Sequence, residues 1–229
     1  MTVWLLTPLI GGAVLYAAWA ASAWLRYGRH GPPAAGEEDE LLDRFMPEYD
    51  VVERHCTSVS APAAVTFAAA CETGLEDSPV SRTIFRARET LLGARPDGAP
   101  LPSGILAKTK ALGWGVLAEI PGREIVMGAV TQPWLADVVF RPLPPEEFRG
   151  FQDPDYVKIA WTLRADPAPG GCSIFRTETR VLAGGAEARS KFRRYWAWLS
   201  PGIVLIRMSM LGPLKREGER RARAATQQV

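Results

Sequence analysis

The feature that most constrains this chain is an uncharged segment at its beginning. Residues 3–25 form a run of 23 residues without a charged side chain, and a helix needs roughly 20 apolar residues to cross about 30 Å of hydrocarbon. Trp4 lies near one end of the run, and Trp24 and Tyr27 lie near the other, where interfacial aromatic residues are common. The segment therefore predicts a transmembrane anchor over residues 1–27.

Basic residues follow this segment but do not precede it. Arg26 and Arg29 come directly after it, so the positive-inside rule predicts a single-pass protein of the cell membrane with its main domain in the cytoplasm. Two alternatives stay open. Ala21-Ser22-Ala23 has the small-x-small form of a signal-peptide cleavage site, although no basic region precedes the run. The segment is also compatible with a buried helix of a soluble protein.

The remaining chain predicts a linker, one domain and a short tail. Residues 28–40 are rich in Gly, Pro, Ala and acidic residues and predict a flexible linker. A folded domain is expected over 41–224, followed by a tail at 225–229. The net charge of +2 gives no indication of a nucleic-acid partner. The 3 cysteines are not closely spaced, so we predict neither a disulfide framework nor a metal site, and no cofactor.

The order of predicted elements indicates an α+β fold. One strand is followed by two helices, two hairpins and a long helix; these cover 49–59, 60–70, 78–93, 114–130, 156–182 and 184–224. Segregated elements of this kind place helices on one face of an antiparallel sheet.

The last helix carries an apolar stripe. Its apolar residues recur at steps of three and four: Phe192, Tyr195, Trp196, Leu199, Ile203, Ile206 and Met210. The uncharged run at 195–206 is too short to span a membrane, so we expect it to face the concave side of the sheet. Pro201 predicts a kink or a new helix start.

Three stretches resemble a known superfamily. They are "DVVERHCTSVSAPAAVTFAAA", "SPVSRTIFRARETLLG" and "FRTETRVLAGGAEARSKFRRYWAWLSPGIVLIRMSMLGPLKREGE". Over residues 43–221 the chain is similar to bacterial members of the START-like (SRPBCC) superfamily, which groups Bet v 1-like proteins, polyketide cyclases and lipid-transfer domains. The resemblance implies a helix-grip fold, in which a curved antiparallel sheet wraps around a long C-terminal helix. It also implies an internal pocket for a hydrophobic or amphipathic small molecule, but no single reaction.

Large apolar residues on the predicted inner surfaces are the candidate ligand contacts. They are Phe85, Trp114, Trp161, Phe175, Phe192, Trp196, Leu199 and Ile203. Plain core filling is the alternative role for these side chains. Trp196 and Trp198 diverge by about 200° around a helix, so Trp196 is expected to point inward and Trp198 outward.

No catalytic constellation is visible in the sequence. His55 and Cys56 are neighbours on a strand and point to opposite faces, so His55 is predicted to be an ordinary strand histidine. Arg176, Glu178 and Arg180 alternate on the last strand and are expected to face outward as an ion-pair row; an inward row would anchor a ligand head group.

The sequence therefore favours a membrane-anchored domain that binds a hydrophobic small molecule of the lipid or isoprenoid class. The alternatives are an enzyme of the cyclase or hydrolase type in the same cavity, and a ligand-free interaction protein. The basic C-terminal end predicts either a solvated helix end or contact with anionic lipid; its residues are Lys215, Arg216, Arg220, Arg221 and Arg223.

Overall fold

The computed structural model describes residues 3–74, Thr83 and 102–227, with side chains from Gly11 onward. The helix predicted over 78–93 lies outside the described residues, apart from Thr83. The described helices and strands are α1 (Val3–Arg26), α2 (Glu40–Asp43), β1 (Val51–Val59), α3 (Ala63–Glu72), α4 (Ile105–Ala111), β2 (Gly115–Ile120), β3 (Glu124–Thr131), α5 (Pro145–Gly150), β4 (Val157–Ala168), β5 (Cys172–Ala183) and α6 (Ala186–Thr226).

The described strands form one antiparallel sheet in the order β1-β5-β4-β3-β2. Both predicted hairpins, β2–β3 and β4–β5, are confirmed. Gly122 has a φ of 72° in the first turn, and Gly170 has a φ of 74° in the second. These are left-handed conformations that glycine adopts without a steric penalty. The α+β prediction is therefore correct for the described part of the chain.

Each face of the sheet packs against a different part of the chain. Phe175 of β5 packs in one core cluster with Leu214 of α6. Leu182, on the opposite face of β5, packs against Leu42 and Met46, which come from α2 and the turn after it. Because both faces are covered, β3 is buried along its whole length.

Helix α6 is one continuous helix of 41 residues with Pro201 inside it. The predicted new start at Pro201 does not occur. Among the described residues, α6 contains a window of 18 residues with a mean hydropathy of 1.3, apolar enough to cross a membrane, and only 22% of it is buried. Packing on β1 and β5 nevertheless holds α6 against the sheet.

The run at 195–206 has two different sides. Trp196 and Val204 are buried, each with 9% of its surface exposed, whereas Trp198 is 60% exposed and Leu205 is 52% exposed. The expected divergence of Trp196 and Trp198 is confirmed. The expectation that the run faces the sheet is correct for one side only, because the other side is turned toward α1 and solvent.

Helix α1 forms over the predicted segment and lies antiparallel to α6. Hydrogen bonds join the two helices: the Tyr16 hydroxyl donates to the Trp198 carbonyl, Trp19 Nε1 donates to Ser200 Oγ at 3.1 Å, and Arg193 donates to the Trp24 carbonyl from Nε at 3.1 Å and from Nη2 at 2.8 Å. The Arg193 guanidinium also lies 4.1 Å from the centroid of the Trp24 ring. That α1 crosses a membrane stays a prediction.

Residues 28–40, predicted as a linker, contact the outer face of the sheet. Arg164 of β4 donates to the Glu38 carbonyl at 2.8 Å and to the Gly36 carbonyl at 3.3 Å. Asp39 accepts a hydrogen bond from the backbone amide of Leu42 at 2.8 Å, which caps the start of α2. These contacts place the segment and α2 over the face of the sheet opposite to α6.

Candidate functional site

The charged row on β5 faces away from α6, as predicted, but it is not exposed. Glu178 is 5% exposed and Arg180 is 3% exposed. Arg180 Nε donates to Glu178 Oε1 at 2.7 Å, and Arg54 donates to both carboxylate oxygens at 3.1 and 3.0 Å. The predicted ion pairs are therefore present, but they are buried because α2 and the residues around it cover this face. The buried charges pair with one another, which indicates a structural role.

Polar side chains also meet on the inner face of the sheet, under α6. Glu53 and His55 of β1 stand opposite Thr179 and Thr177 of β5 in the strand register. Arg207 of α6 reaches this group, and its Nη1 donates to Thr177 Oγ1 at 3.4 Å. We call these five residues the interior polar cluster.

Burial shifts the titration of the three ionisable members of this cluster. It lowers the pKa of Arg207 to about 10, an effect that the nearby Glu53 carboxylate partly offsets. Burial raises the pKa of Glu53, and Arg207 opposes that shift. Burial also lowers the pKa of His55, and the positive charge of Arg207 lowers it further. At neutral pH the cluster therefore presents a cation and a neutral imidazole beside a carboxyl group.

The cluster leaves hydrogen-bonding capacity unused. His55 Nε2 and Thr179 Oγ1 are buried without a hydrogen-bond partner. Within the described residues, no carboxylate oxygen lies within 4.0 Å of the Arg207 guanidinium nitrogens. His55 Nε2 lies 3.6 Å from Glu53 Oε2, which is beyond hydrogen-bonding distance. Buried polar groups left unpaired cost about 1–3 kcal/mol each, so this arrangement suits a site that an additional polar group completes.

The predicted ligand contacts fall into two apolar clusters on either side of the interior polar cluster. Trp114, Trp161 and Phe175 belong to or pack on the cluster around Leu214 of α6. Phe192, Trp196 and Ile203 belong to or pack on the cluster around Val51 and Val181. Leu199 is half-buried, and Phe85 lies outside the described residues. Their role in ligand binding stays a prediction.

Arg207 lies along α6 between these two clusters, four residues after Ile203 and seven before Leu214. The inner surface of the sheet is therefore apolar at each end and polar in the middle. This is an arrangement that could orient an amphipathic molecule.

A cleft with a volume of about 800 Å³ lies elsewhere. It is bounded by the end of α3, by α4 and by the C-terminal part of α6, and none of the predicted ligand contacts that the structure describes lines it. Arg221 donates to Glu72 at 2.6 Å and to Glu217 at 2.7 Å, and Arg220 donates to Glu217 at 2.7 Å. The cleft is therefore bordered by ion pairs and differs from the apolar pocket that the sequence predicts.

The order in which the strands and helices are connected identifies the fold. The first strand of the sheet pairs with the last, α3 and α4 lie between β1 and β2, and the long helix after β5 packs back on β1 and β5. Among the described residues, this topology is that of a helix-grip fold. The helix-grip prediction is thus confirmed, with a described sheet of five strands closed on one side by α6.

Comparisons with solved structures return distant similarities only. The Zhui aromatase/cyclase from Streptomyces sp. R1128 is 14% identical, with 76% of this chain and 97% of that chain covered and a TM-score of 0.27. CalU16 from Micromonospora echinospora is 10% identical, with 76% and 97% covered and a TM-score of 0.25. Ara h 8.0201 is 13% identical, with 72% and 97% covered and a TM-score of 0.24. At these sequence identities and TM-scores, no activity or residue role of these proteins can be assigned to this chain. No protein-family model and no curated protein matches it.

Sequence reasoning missed the interior polar cluster, although one signal for it was present. Arg207 is the only charged residue between Arg194 and Lys215, within an otherwise apolar part of α6. Burying a charged side chain between a helix and a sheet is unfavourable unless the charge has a polar partner. A single charge in such a place therefore indicates a polar site. On β1, Glu53 and His55 occupy the same face as the buried Val51 and therefore also point toward α6.

Proposed function

We propose that this protein is a membrane-anchored START-like domain that holds a hydrophobic or amphipathic small molecule between its sheet and helix α6. The observation that carries the proposal is the apolar outer surface of the α1–α6 pair. On α6, Trp198, Leu205 and Met208 are 60%, 52% and 55% exposed. The neighbouring helix α1 exposes further apolar side chains, namely Val14, Leu15, Trp19 and Leu25.

A lipid bilayer is the occupant that best fits this surface. Contiguous exposed apolar patches mark interaction sites, whereas single exposed apolar residues need no explanation. The patch continues into the uncharged run at 3–25, which has the length and composition of a membrane segment. Arg26 and Arg29 at the end of this run favour a cytoplasmic position for the domain. The ion pairs of Arg220 and Arg221 make the basic C-terminal end the weaker candidate for lipid contact.

The proposed mechanism follows from the position of α6. One side of this helix covers the sheet, and the other side, beside α1, faces the bilayer. A molecule that leaves the membrane therefore has only this helix to pass before it reaches the inner surface of the sheet. Each Å² of apolar surface that it removes from water there contributes about 25 cal/mol. We place the ligand in the lipid or isoprenoid class because such molecules reside in the bilayer.

Site-directed spin labelling tests the membrane contact. The native cysteines are first replaced by serine, and Met208→Cys then carries the label in protein reconstituted into lipid nanodiscs. Oxygen concentrates in the bilayer and a nickel chelate stays in water, so the label at 208 should collide more with oxygen. Val116→Cys is the matched control, since it lies on β2 at the sheet edge opposite to β1 and is 36% exposed. Equal nickel accessibility at both positions would refute the membrane contact.

An enzyme is a second candidate function, and the interior polar cluster favours it. Glu53, His55 and Arg207 provide an acid or base, an imidazole and a cation in one partly buried group. These are the group types that general acid–base catalysis uses. The two functions differ in what happens to the bound molecule. A carrier returns it unchanged, whereas an enzyme of the cyclase or hydrolase type returns a product of different mass or retention time, and Glu53→Gln should abolish that conversion.

A further inference from the structure

We propose that α1 does not cross the membrane but lies beside α6 in the plane of a single leaflet. This inference rests on the proposed function, in which the outer surface of the α1–α6 pair meets a bilayer, and it assigns the orientation of the bilayer on that surface. Two observations carry it. Several contacts hold α1 along α6, and exposed apolar side chains follow the length of both helices.

The contacts between α1 and α6 fix the direction of α1. Tyr16 and Trp19 donate hydrogen bonds to α6, and the Trp24 carbonyl accepts hydrogen bonds from Arg193. Ala20, which lies between these contacts, is only 8% exposed. The contacts extend from residue 16 to residue 24, about 12 Å of helix. The axis of α1 therefore cannot turn far from that of α6 without breaking one of them.

The exposed apolar residues form rows along the two helices. Val14 and Leu25 of α1 are 61% and 63% exposed. Their separation in the sequence places them about 20° apart around the helix and about 16 Å apart along it. Trp198 and Leu205 of α6 are 60% and 52% exposed, and they also lie about 20° apart, at a separation of about 10 Å. A flat bilayer surface that contacts both members of each pair is parallel to both helices.

A crossing α1 is incompatible with this packing. If α1 stood upright in the bilayer while packed on α6, then α6 would stand upright beside it and carry the sheet to the depth of the hydrocarbon. Strand β1 packs against α6, and among the described strands it pairs with β5 only, so it forms one edge of the sheet. An open sheet edge does not occur in contact with lipid hydrocarbon, because its backbone groups would have no hydrogen-bond partners.

An orientation in one leaflet keeps the sheet on the aqueous side of α6. It also suits the end of α1, where the Arg193 guanidinium lies 4.1 Å from the ring centroid of Trp24 and 6.0 Å from that of Tyr27. Arginine and aromatic side chains are both favoured at the membrane–water interface. Both ends of α1 then remain on the side of the membrane that holds the domain, which differs from the single-pass arrangement predicted from the sequence.

Depth measurements with spin labels on the full chain in lipid nanodiscs test this inference. Labels are attached in turn to Val14→Cys and Leu25→Cys in the protein whose native cysteines are replaced by serine, and the ratio of oxygen to nickel collisions gives the depth of each label. An α1 in the plane of the leaflet places both labels at the same depth, whereas an α1 that crosses separates them by about 16 Å. Trp198→Cys and Leu205→Cys repeat the comparison on α6 and should also match each other.

Crosslinking tests whether α1 stays on α6 in the bilayer. Trp19 Nε1 lies 3.1 Å from Ser200 Oγ, so a short bis-maleimide should join Trp19→Cys to Ser200→Cys in nanodiscs. The matched control combines Val14→Cys with Ser200→Cys. Val14 lies about 140° around α1 from Trp19 and is 61% exposed, so this pair should not be joined.

The outcomes separate this inference from the proposed function. A depth difference of about 16 Å between the labels at 14 and 25 overturns the in-plane orientation, and the proposed membrane contact stands if the label at Met208→Cys still meets the bilayer. Failure of both cysteine pairs to crosslink also overturns the inference, because the packing on which it depends is then absent. If the labels on α1 and α6 collide with nickel as often as the label at Val116→Cys, the proposed membrane contact fails together with this inference.

Discussion

Replacement of Arg180 by methionine should destabilise the domain strongly, because this arginine joins α2 to the sheet. Its Nε donates to Glu178 at 2.7 Å, and its Nη1 donates to the Asp43 carboxylate at 2.5 Å and to the Met46 carbonyl at 2.7 Å. The side chain is 3% exposed, so water cannot replace these contacts without opening the structure.

The expected magnitude follows from what Arg180→Met leaves behind. Removing one partner of a buried ion pair costs about 3–5 kcal/mol. Glu178 keeps its two hydrogen bonds to Arg54, and the Asp43 side chain is 49% exposed and can be hydrated. We therefore expect a loss of about 3 kcal/mol, at the lower end of that range.

Urea unfolding in a mild detergent, followed by tryptophan fluorescence, measures this loss. With a slope of about 3 kcal/mol per M, the midpoint should fall by about 1 M. Lys191→Met is the matched control: it removes a 2.6 Å ion pair to Glu187 in which both side chains are exposed, and it should cost about 0–0.5 kcal/mol. If Arg180→Met is as mild as this control, the packing of α2 on the outer face of the sheet is refuted.

Three other changes test the packing elsewhere. Gly184→Ala should cost about 2–4 kcal/mol, since the new Cβ would lie 1.9 Å from the Asp153 carbonyl oxygen; thermal unfolding measures it. Cys71 should react with iodoacetamide more slowly than the exposed Cys56 at pH 8, because burial raises the Cys71 pKa to about 11; mass spectrometry of the labelled peptides checks the order. Burial and a neighbouring carboxylate raise the pKa of Glu124 from 4.5 to about 8. Its contribution to stability is therefore complete below pH 4.5 and is lost as the pH rises to 8. Glu124→Gln should flatten that loss in urea titrations.

Each of these tests has a result that would count against the structure. Gly150→Ala is the control for Gly184→Ala, because an added Cβ at position 150 meets no atom within 4 Å. Equal stability of the two variants would contradict the close packing of Gly184 against Asp153. Equal alkylation rates for the two cysteines would contradict the burial of Cys71. A pH slope unchanged by Glu124→Gln would show that this carboxyl is not buried beside Asp39.

Local sequence patterns predicted the framework of the fold well. Alternation along β4 and β5 gave both strands and the direction of the charged row on β5, because side chains on a strand alternate between its faces. Helical spacing separated the buried Trp196 from the exposed Trp198. These features depend on neighbours in the sequence, which is why one sequence suffices to predict them.

Contacts between distant segments could not be predicted in the same way. Residues 28–40 have the composition of a linker, yet Gly36 and Glu38 hold Arg164 through backbone carbonyls. Every residue has such a carbonyl, so the sequence carries no signal for this contact. The interior polar cluster joins His55, Thr177 and Arg207, which only the register of β1 on β5 and the position of α6 bring together.

Native mass spectrometry of the full chain, extracted from its own membranes in a mild detergent, tests the central claim most directly. The account predicts a co-purifying molecule of lipid-like mass that stays bound after the micelle is removed. Photocrosslinking from position 203, on the inner side of α6, should attach the same molecule to the protein. A mass spectrum that shows only the protein without a ligand, together with the absence of a crosslinked product, would contradict a ligand held beneath this helix.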